Sequence, residues 1–273
     1  MSTMVDTLQP PPAEEQIIGR LLEWISSSQL SLFQVCRLRF YFRYVLGLRK
    51  PKTAALHVGV AVHAVLSHWN RARWRRQLFS LADLHASYQA AWQAEQAEEP
   101  VAWNNPASEA EQQQTGWRLL ETFFRESPLR EASKPDAVEV RVEADLARHG
   151  LPTLVGVLDL VQDGRIVDFK TSATTPHPER AALVHATQAT AYALLYRENT
   201  GRKEAGIELH HLVKLKQPRL VVTTLPPMGE REQTRLLRVI DSYVSGLQRR
   251  DFIPSPGLPC VSCEFFAECA AWH

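Results

Sequence analysis

One dipeptide, Asp163-Gly164, constrains the fold of this chain more than any other feature. It stands between the runs VGVLDLVQ and RIVDFKTS, and an Asp-Gly pair flanked by apolar, β-branched residues predicts an antiparallel hairpin with a two-residue loop. The loop length fixes which residues face each other across the two strands. The expected pairs are Gln162 with Arg165, Val161 with Ile166, Leu160 with Val167, and Asp159 with Asp168.

The last of these pairs brings two acids together. Facing side chains of an antiparallel pair have Cβ atoms roughly 5 Å apart, and like charges repel there. The pairing of Asp159 with Asp168 therefore indicates a cation between them, most simply a divalent metal ion. Lys170 lies two residues beyond Asp168 and points to the same face. The alternative is an ordinary hairpin whose acids are solvated, but the apolar residues on both faces favour a covered strand.

Four short motifs follow one another along the chain. They are Gly59-Val60-Ala61-Val62-His63, Gly156-x-x-Asp159, Asp168-Phe169-Lys170-Thr171-Ser172 and Gln188-Ala189-Thr190-Ala191-Tyr192. Each is weak alone, but together, in this order, they resemble the PD-(D/E)xK nuclease superfamily, particularly its RecB-like exonuclease branch. The resemblance implies an α/β fold with a restriction-endonuclease-like core, in which helices flank a central mixed β-sheet.

The resemblance also implies a metal site. Asp159 and Asp168 would hold one or two Mg²⁺ or Mn²⁺ ions, together with the backbone carbonyl of Phe169. His63 would be a further, softer ligand that biases the site towards Mn²⁺. Such ions activate water and neutralise charge on the scissile phosphate, while Lys170 orients that water or stabilises the transition state.

Two further positions on neighbouring elements belong to the expected site. Gln188 and Tyr192 lie one turn apart on a predicted helix, and the resemblance implies that they position Lys170 or contact its strand. Similar proteins often carry an acid on the strand before the hairpin. Glu139 and Glu143 both occupy that strand at alternate spacing, and the sequence does not choose between them.

The chain has four cysteines, three of them within its last fourteen residues. No apolar signal segment precedes residue 30, so we expect a cytoplasmic protein. In that setting clustered cysteines bind metal more often than they form disulfides. Four thiolates suit either structural zinc or an iron–sulfur cluster, and the ligand type alone does not separate these.

The spacing of the cysteines, one distant residue followed by CxxC and a third, resembles the iron–sulfur nucleases of the AddB type and the CRISPR adaptation nucleases. That resemblance implies a [4Fe-4S] cluster held by Cys36, Cys260, Cys263 and Cys269, and it covers nearly the whole chain. Pro often follows the first cysteine in that family, whereas Arg37 stands here, which affects local shape rather than ligation. Such a cluster would close a loop of more than two hundred residues, which favours a structural clamp over electron transfer.

Composition limits the class of protein. A chain of 273 residues that is 45% hydrophobic can bury the core of one medium-sized domain, and it has no apolar run long enough to span a membrane. The net charge of +1 means that nucleic-acid binding has to come from local patches. Two patches mix cations with aromatic residues, and their candidate DNA-binding residues include Arg37, Arg39, Arg43 and Arg73, with Arg71, Arg75 and Arg76 nearby. The alternative is a pair of amphipathic helices with solvated arginines.

Periodicity and caps predict the remaining organisation. Residues 1–15 form a flexible tail, and 16–273 form one nuclease domain with a helical part at about 28–130, a core at about 136–225 and a C-terminal helix and cluster segment at about 230–273. A helix over about 28–46 carries Cys36, starts at Ser28 or Ser31 with Gln34 in a capping box, and ends at Gly47. Other helices are expected at about 56–77, 81–96, 108–125, 178–197 and 230–249, with strands from about 136, at 206–216 and at 220–224.

Three functions follow from these features. The leading one, implied by the RecB-like resemblance, is a metal-dependent DNA nuclease acting on single-stranded DNA or DNA ends. The second is a non-cleaving module that binds nucleic acid or docks in a repair or CRISPR adaptation complex, against which the intact Asp159, Asp168 and Lys170 argue. The third, an iron–sulfur redox protein, gives the carboxylate hairpin no purpose. The chain has no GxxxxGK[ST] loop, so unwinding would need a helicase partner.

Overall fold

A computed structural model of the chain describes residues 14–103 and 105–272. The chain divides into two compact units. The first unit combines Met1–Arg49, Asp145–Thr153 and Val239–His273, and the second combines Lys50–Ala144 and Leu154–Arg238. The tail expected over residues 1–15 lies outside the described residues except at its end, where a helix already begins at Glu14.

The described residues form a mainly helical first half followed by a run of strands, with helices between and after them. The helices are α1 (Glu14–Glu23), α2 (Ser27–Val35), α3 (Arg37–Phe40), α4 (Ala54–Trp74), α5 (Leu81–Glu98), α6 (Pro106–Glu126), α7 (Pro178–Val184), α8 (Ala186–Thr200), α9 (Glu230–Gln248) and α10 (Phe266–Ala270). The strands are β1 (Trp24–Ser26), β2 (Lys52–Thr53), β3 (Val101–Ala102), β4 (Ala137–Ala144), β5 (Thr153–Gln162), β6 (Arg165–Ser172), β7 (Ile207–Val213) and β8 (Arg219–Leu225). No described helix has both the length and the apolar character needed to cross a membrane.

The first unit differs from expectation around Cys36. Ser26, rather than Ser28 or Ser31, caps α2, because its hydroxyl accepts from the Gln29 N–H while the Gln29 side chain accepts from the Ser26 N–H. The helix expected over about 28–46 is also interrupted. Cys36 has extended backbone angles between α2 and α3, and a π-helical turn over Tyr41–Val45 follows. Cys36 therefore lies at a break between helices rather than within one.

The second unit is built on a mixed sheet, as expected of an α/β fold. β4 pairs with β5 and β5 with β6 in antiparallel fashion, β6 pairs with β7 in parallel, and β7 pairs with β8 in antiparallel fashion. A hydrophobic core joins α4, α5 and α6 to apolar side chains of the sheet, among them Leu160, Val167, Phe169 and Leu212. Since side chains alternate along a strand, Asp168 and Lys170 point to the face opposite Phe169.

The predicted hairpin register is confirmed for three pairs: Gln162 with Arg165, Val161 with Ile166, and Leu160 with Val167. The next pair would be Asp159 with Asp168. At that step the backbone N–H of Phe169 donates to Asp159 Oδ2 at 3.1 Å. The Asp159 carboxylate therefore accepts a hydrogen bond from a backbone N–H that could otherwise bond to the neighbouring strand. This contact holds the Asp159 side chain against β6.

Two glycines let helices approach the sheet closely. A Cβ on Gly59 of α4 would lie 2.9 Å from Thr171 Oγ1, and one on Gly156 of β5 would lie 2.7 Å from Leu195 Cδ1 of α8. The glycines of two sequence motifs thus serve helix-to-sheet packing. The single helix expected over about 178–197 is wrong, because the chain breaks at His185 and α8 then runs to Gly201, whose φ of 67° ends it.

Candidate active site

The polar centre of the second unit draws on five elements. His63 comes from α4, Glu139 from β4, Asp159 from β5, Asp168 and Lys170 from β6, and Gln188 and Tyr192 from α8. The sequence motifs predicted all of these residues except Glu139, for which Glu143 was the competitor. The structure brings them together at neighbouring positions on three adjacent strands and the two helices that pack on them.

His63 lies between two carboxylates. Its Nε2 is 2.9 Å from Asp159 Oδ2, and its Nδ1 is 3.5 Å from Glu139 Oε1. One ligand atom from each of these three residues lies within 4.8 Å of the other two. The His63 side chain is 35% exposed, so solvent and a small ion can reach the group.

Glu139 has an unusual backbone. It lies within β4 but has a φ of +48°, a left-handed conformation that costs a non-glycine residue about 1–3 kcal/mol. The pairs on either side, Val138 with Leu160 and Val140 with Leu158, keep one register, which places Glu139 across from Asp159. Glu143 instead is exposed and pairs with Arg141 at 3.2 Å. The structure therefore selects Glu139 as the acid of the site.

Asp168 and Lys170 form the second half of the site. Lys170 Nζ donates to Asp168 Oδ1 at 3.0 Å and lies 2.8 Å from Oδ2. Although Asp168 is 2% exposed, its Oδ2 accepts no hydrogen bond from the described residues. The Lys170 ammonium is therefore the positive group already beside this buried oxygen, and a metal ion would add a second one.

Gln188 and Tyr192 hold Lys170 in place. Gln188 Oε1 accepts from Lys170 Nζ at 2.9 Å, and Gln188 Nε2 donates to the Tyr192 hydroxyl at 2.9 Å. An ammonium group has three N–H donors. Asp168 and Gln188 account for two of them, which leaves one for a substrate oxygen or a water.

Burial and neighbouring charges shift several pKa values of the site upwards. Burial raises the pKa of Asp168 to about 6; the Lys170 charge opposes this shift and the Asp159 charge adds to it. Burial is also the main reason that the pKa of Glu139 is raised. For His63, burial acts to lower the pKa, but the hydrogen bond to Asp159 and the three nearby carboxylates outweigh it and raise the pKa. Without a cation, the site therefore favours bound protons.

These residues fit a divalent metal ion of the kind that the fold implies. Carboxylate oxygens with one imidazole are typical ligands of Mg²⁺ and Mn²⁺. Burial is the main cause of the raised pKa values of Asp168 and Glu139, and nearby carboxylates raise that of His63. A bound cation would stabilise the ionised form of these carboxylates.

The four cysteines line a cavity of about 60 Å³ within the first unit, together with apolar side chains such as Leu38, Phe42 and Phe265. Burial raises the pKa of the Cys269 thiol, and the thiols of Cys36, Cys263 and Cys260 raise it further. Among the described residues, no three thiols have their sulfur atoms all within 4.8 Å of one another. Four thiols around one cavity fit a thiolate-bound metal group. Among any three of them, at least one distance between sulfur atoms is longer than the distances between ligands of a single zinc ion.

Three of the four arginines proposed as DNA contacts already have partners. Arg37 forms an ion pair with Asp251, and Arg39 pairs with Glu264 at 2.6 Å. Arg73 donates to Asn70, to Gln162 at 3.0 Å and to the Ser133 carbonyl at 2.9 Å. Arg43 lies half-buried in the π-helical turn. These contacts give the first three arginines a structural explanation.

Sequence reasoning left two histidines near Lys170 unassigned. The rings of His185 and His211 lie 5.6 Å apart. Burial, the Lys170 charge and His211 lower the pKa of His185 to about 4, so this imidazole is neutral at ordinary pH. His211 is paired with Lys170 across β6 and β7. That parallel register depends on tertiary folding, so no local signal in the sequence could have revealed it.

Comparison with known proteins agrees with this architecture. The model of the PD-(D/E)XK nuclease superfamily matches residues 25–270. A crystal structure from Eubacterium rectale, described as a "Putative exonuclease", superposes with a TM-score of 0.62 at 12% identity and covers 97% of this chain and 94% of that one, which shows a shared fold. The alignment with a crystal structure named SSO0001 covers 94% of each chain at 13% identity, with a TM-score of 0.43, which is too low to show a shared fold. No curated protein matches significantly.

Proposed function

Because this chain belongs to the PD-(D/E)xK nuclease superfamily, we propose that it is a Mg²⁺- or Mn²⁺-dependent deoxyribonuclease of the RecB-like branch, acting on single-stranded DNA or DNA ends. One observation carries the proposal: carboxylates from three adjacent strands, an imidazole from α4 and a fixed ammonium group converge at one place. Such a set matches the charges of a phosphodiester and of the ion that activates it.

His63, Glu139, Asp159 and Asp168 would hold the metal, with the carbonyl of Phe169 as the further ligand expected from the motif. The ion would supply a nucleophilic water at neutral pH and positive charge beside the scissile phosphate. Ligation requires His63 to give up the proton that it shares with Asp159, so metal binding should weaken in acid.

Lys170 would act on the reacting phosphate directly. Gln188 fixes its Nζ at 2.9 Å, and Tyr192 in turn fixes the Gln188 amide. Its remaining N–H can donate to a non-bridging oxygen as charge develops there, a contribution that needs no reorganisation because the group is already held. Gln188 and Tyr192 are thus positioning residues, while Lys170 is catalytic.

The cysteine cavity supports a structural [4Fe-4S] cluster better than zinc. Zn–S bonds of about 2.3 Å require thiolate sulfurs roughly 3.8 Å apart, whereas three sulfurs within even 4.8 Å are not found among the described cysteines. A four-iron cluster is larger and keeps its thiolates further apart. Because Cys36 lies far from the other three in sequence, the cluster would stabilise the first unit by joining its distant segments.

The test is cleavage of end-labelled single-stranded DNA by purified protein with Mn²⁺ or Mg²⁺, followed by chelation and metal restoration. We expect cleavage that stops on chelation and returns with the metal. A Lys170→Gln variant should lose it, while Lys216→Gln, which removes an exposed lysine between β7 and β8, should keep it. Parallel duplex and RNA substrates define the preference. Metal-independent cleavage, or full activity in Lys170→Gln, would refute the proposed site.

A further inference from the structure

The helix that carries His63 continues towards a basic surface. Ser67, Arg71 and Arg75 follow His63 on successive turns of α4, and at 1.5 Å per residue Arg71 lies about 12 Å and Arg75 about 18 Å along the axis. Ser67 hydrogen-bonds to Glu139, and Arg71 is close enough that its charge lowers the pKa of Glu139. Arg71 therefore lies at the edge of the candidate active site.

Beyond that edge is an open cavity of about 400 Å³ between the end of α4 and the start of α5. Its lining includes His68, Arg71 and Arg75 as cationic or titratable groups. Asp83 also lines it, but the Asp83 carboxylate caps α5 by accepting from the Ser80 N–H at 2.8 Å and from the Ser80 hydroxyl at 2.7 Å. Asp83 keeps its charge, and burial and the Arg71 charge lower the pKa of His68, so the positive character of the cavity comes from Arg71 and Arg75.

The arginines of this cavity differ from Arg73 on the same helix. Arg73 is tied to Asn70, Gln162 and the 132–133 backbone and lies over the Trp69 ring. Arg71 and Arg75 are exposed, and within the described part of the chain neither has a carboxylate within ion-pair distance. Two exposed guanidinium groups one turn apart, neither in an ion-pair contact within the described residues, suit successive anionic groups of a polymer.

Resting on the proposed nuclease function, we propose that the cavity at the end of α4, through Arg71 and Arg75, is a phosphate subsite that binds the backbone of the substrate strand a few nucleotides from the scissile bond. Because Arg71 lies about 12 Å along α4 from His63, it would contact a different phosphate from the reacting one. The active site would therefore bind the reacting phosphate, and the subsite would bind other phosphates of the same strand. A polynucleotide would then be preferred as a substrate over a short phosphodiester.

If the subsite exists, its loss should affect a long substrate more than a short one. A double variant, Arg71→Gln with Arg75→Gln, is compared with Arg231→Gln plus Arg235→Gln, which removes two exposed arginines with the same spacing from α9. Each protein is tested on a thymidine oligonucleotide about ten nucleotides long and on bis(4-nitrophenyl) phosphate, which fills only the reacting position. Binding of the labelled oligonucleotide is measured by anisotropy in EDTA over a range of salt concentrations.

We expect the α4 variant to lose roughly tenfold to a hundredfold in oligonucleotide affinity and in kcat/KM, with a much smaller loss of turnover on the small phosphodiester that reflects only the Arg71 charge acting on Glu139. The slope of log affinity against log salt should fall by about 1.4, since each lost phosphate contact on a single strand contributes about 0.7. The α9 variant should match the wild type.

Two results would overturn the subsite. In one, the α4 variant binds and cleaves the oligonucleotide like the wild type. In the other, it loses activity on both substrates equally, which would mean that Arg71 acts on the metal site through Glu139. Failure of the nuclease proposal has a different signature, because the wild type would then cleave neither substrate, while the anisotropy arm would still decide whether the cavity binds a DNA strand.

Discussion

The carboxylate site of the second unit and the cysteine cavity of the first are built in opposite ways. The carboxylate site is fixed by a strand register, by two close glycine contacts and by hydrogen bonds among its own residues. The cysteine segment has little of this support. No residue of the turn Leu258–Ser262 or of α10 is buried, and Leu258 and Val261 are 89% and 88% exposed.

This difference predicts that the carboxylate site matters for activity and the cysteine segment for stability. The side chains of the carboxylate site are held in place by one another, and a bound cation would relieve the repulsion among its carboxylates. The cysteine segment contributes few buried contacts, so a bound metal group would have to hold it. Removing a ligand from the first site should therefore abolish activity and spare the fold, whereas removing a ligand from the second should weaken the fold.

Asp168→Asn is the strongest test of the first half of this comparison. The amide keeps the shape but loses the charge that binds the metal, so cleavage of single-stranded DNA should fall by about a thousandfold or more. Thermal denaturation should show an equal or higher Tm in EDTA, because a buried carboxylate with a raised pKa is replaced by a neutral group. An unfolded variant would mean that Asp168 is structural.

Cys263→Ser tests the second half. If a cluster closes the loop between Cys36 and the C-terminal cysteines, its loss should cost about 5 kcal/mol, by analogy with a crosslink over a long loop, and lower Tm by roughly 10–20 °C. The visible absorbance of an iron–sulfur cluster should disappear with it. Ser262→Ala, at the preceding position, is the control and should leave both unchanged. An unaltered Tm together with lost absorbance would show that the cluster is not a clamp.

Glu139→Gln against Glu143→Gln sharpens the first site. Glu139 lies beside His63, while Glu143 pairs with Arg141 on the surface. We expect Glu139→Gln to reduce kcat/KM by roughly tenfold to a hundredfold and to raise the Mn²⁺ concentration needed for half-maximal activity. Glu143→Gln should leave both within about twofold of the wild type. Equal behaviour of the two variants would exclude Glu139 from the metal site.

Features that depend on residues close together in sequence could be predicted, whereas features that depend on tertiary contacts could not. The hairpin register needed only a two-residue loop, and the α/β fold followed from motif order, so both were predicted. Glu139 could not be chosen over Glu143, because an eight-residue connection between β4 and β5 fixes no register and the positive φ at Glu139 has no signal in sequence.

The errors have two origins. The wrong cap is a local one: Ser26 and Gln29 form a capping box with the same spacing as Ser31 and Gln34, so spacing alone did not choose between them. The two helix breaks involve partners that are distant in sequence. At Cys36 the thiol lines a cavity with cysteines more than two hundred positions away, and at His185 the ring lies near His211 on another strand.

The smallest effect concerns pH and tests whether the first site stores repulsion. Burial raises the pKa of Asp168 from 3.8 to about 6, so without metal the folded protein keeps this proton to higher pH than the unfolded chain. Its contribution to stability is present at low pH and is lost as pH rises from about 4 through 6. The Asp168→Asn variant has no carboxyl group at this position, so its stability does not fall with pH for this reason.

In EDTA, the Tm of the variant should therefore equal that of the wild type near pH 4 and exceed it by a few degrees at pH 7.5. The pKa of His63 stays raised in both proteins by Asp159 and Glu139, and the variant removes only the smallest of its causes, the Asp168 charge. Adding Mn²⁺ at pH 7.5 should raise Tm in the wild type more than in the variant, because only the wild type retains all its metal ligands. A Tm difference that is flat with pH, or that shrinks as pH rises, would mean that the Asp168–Lys170 pair already neutralises the site without a metal ion.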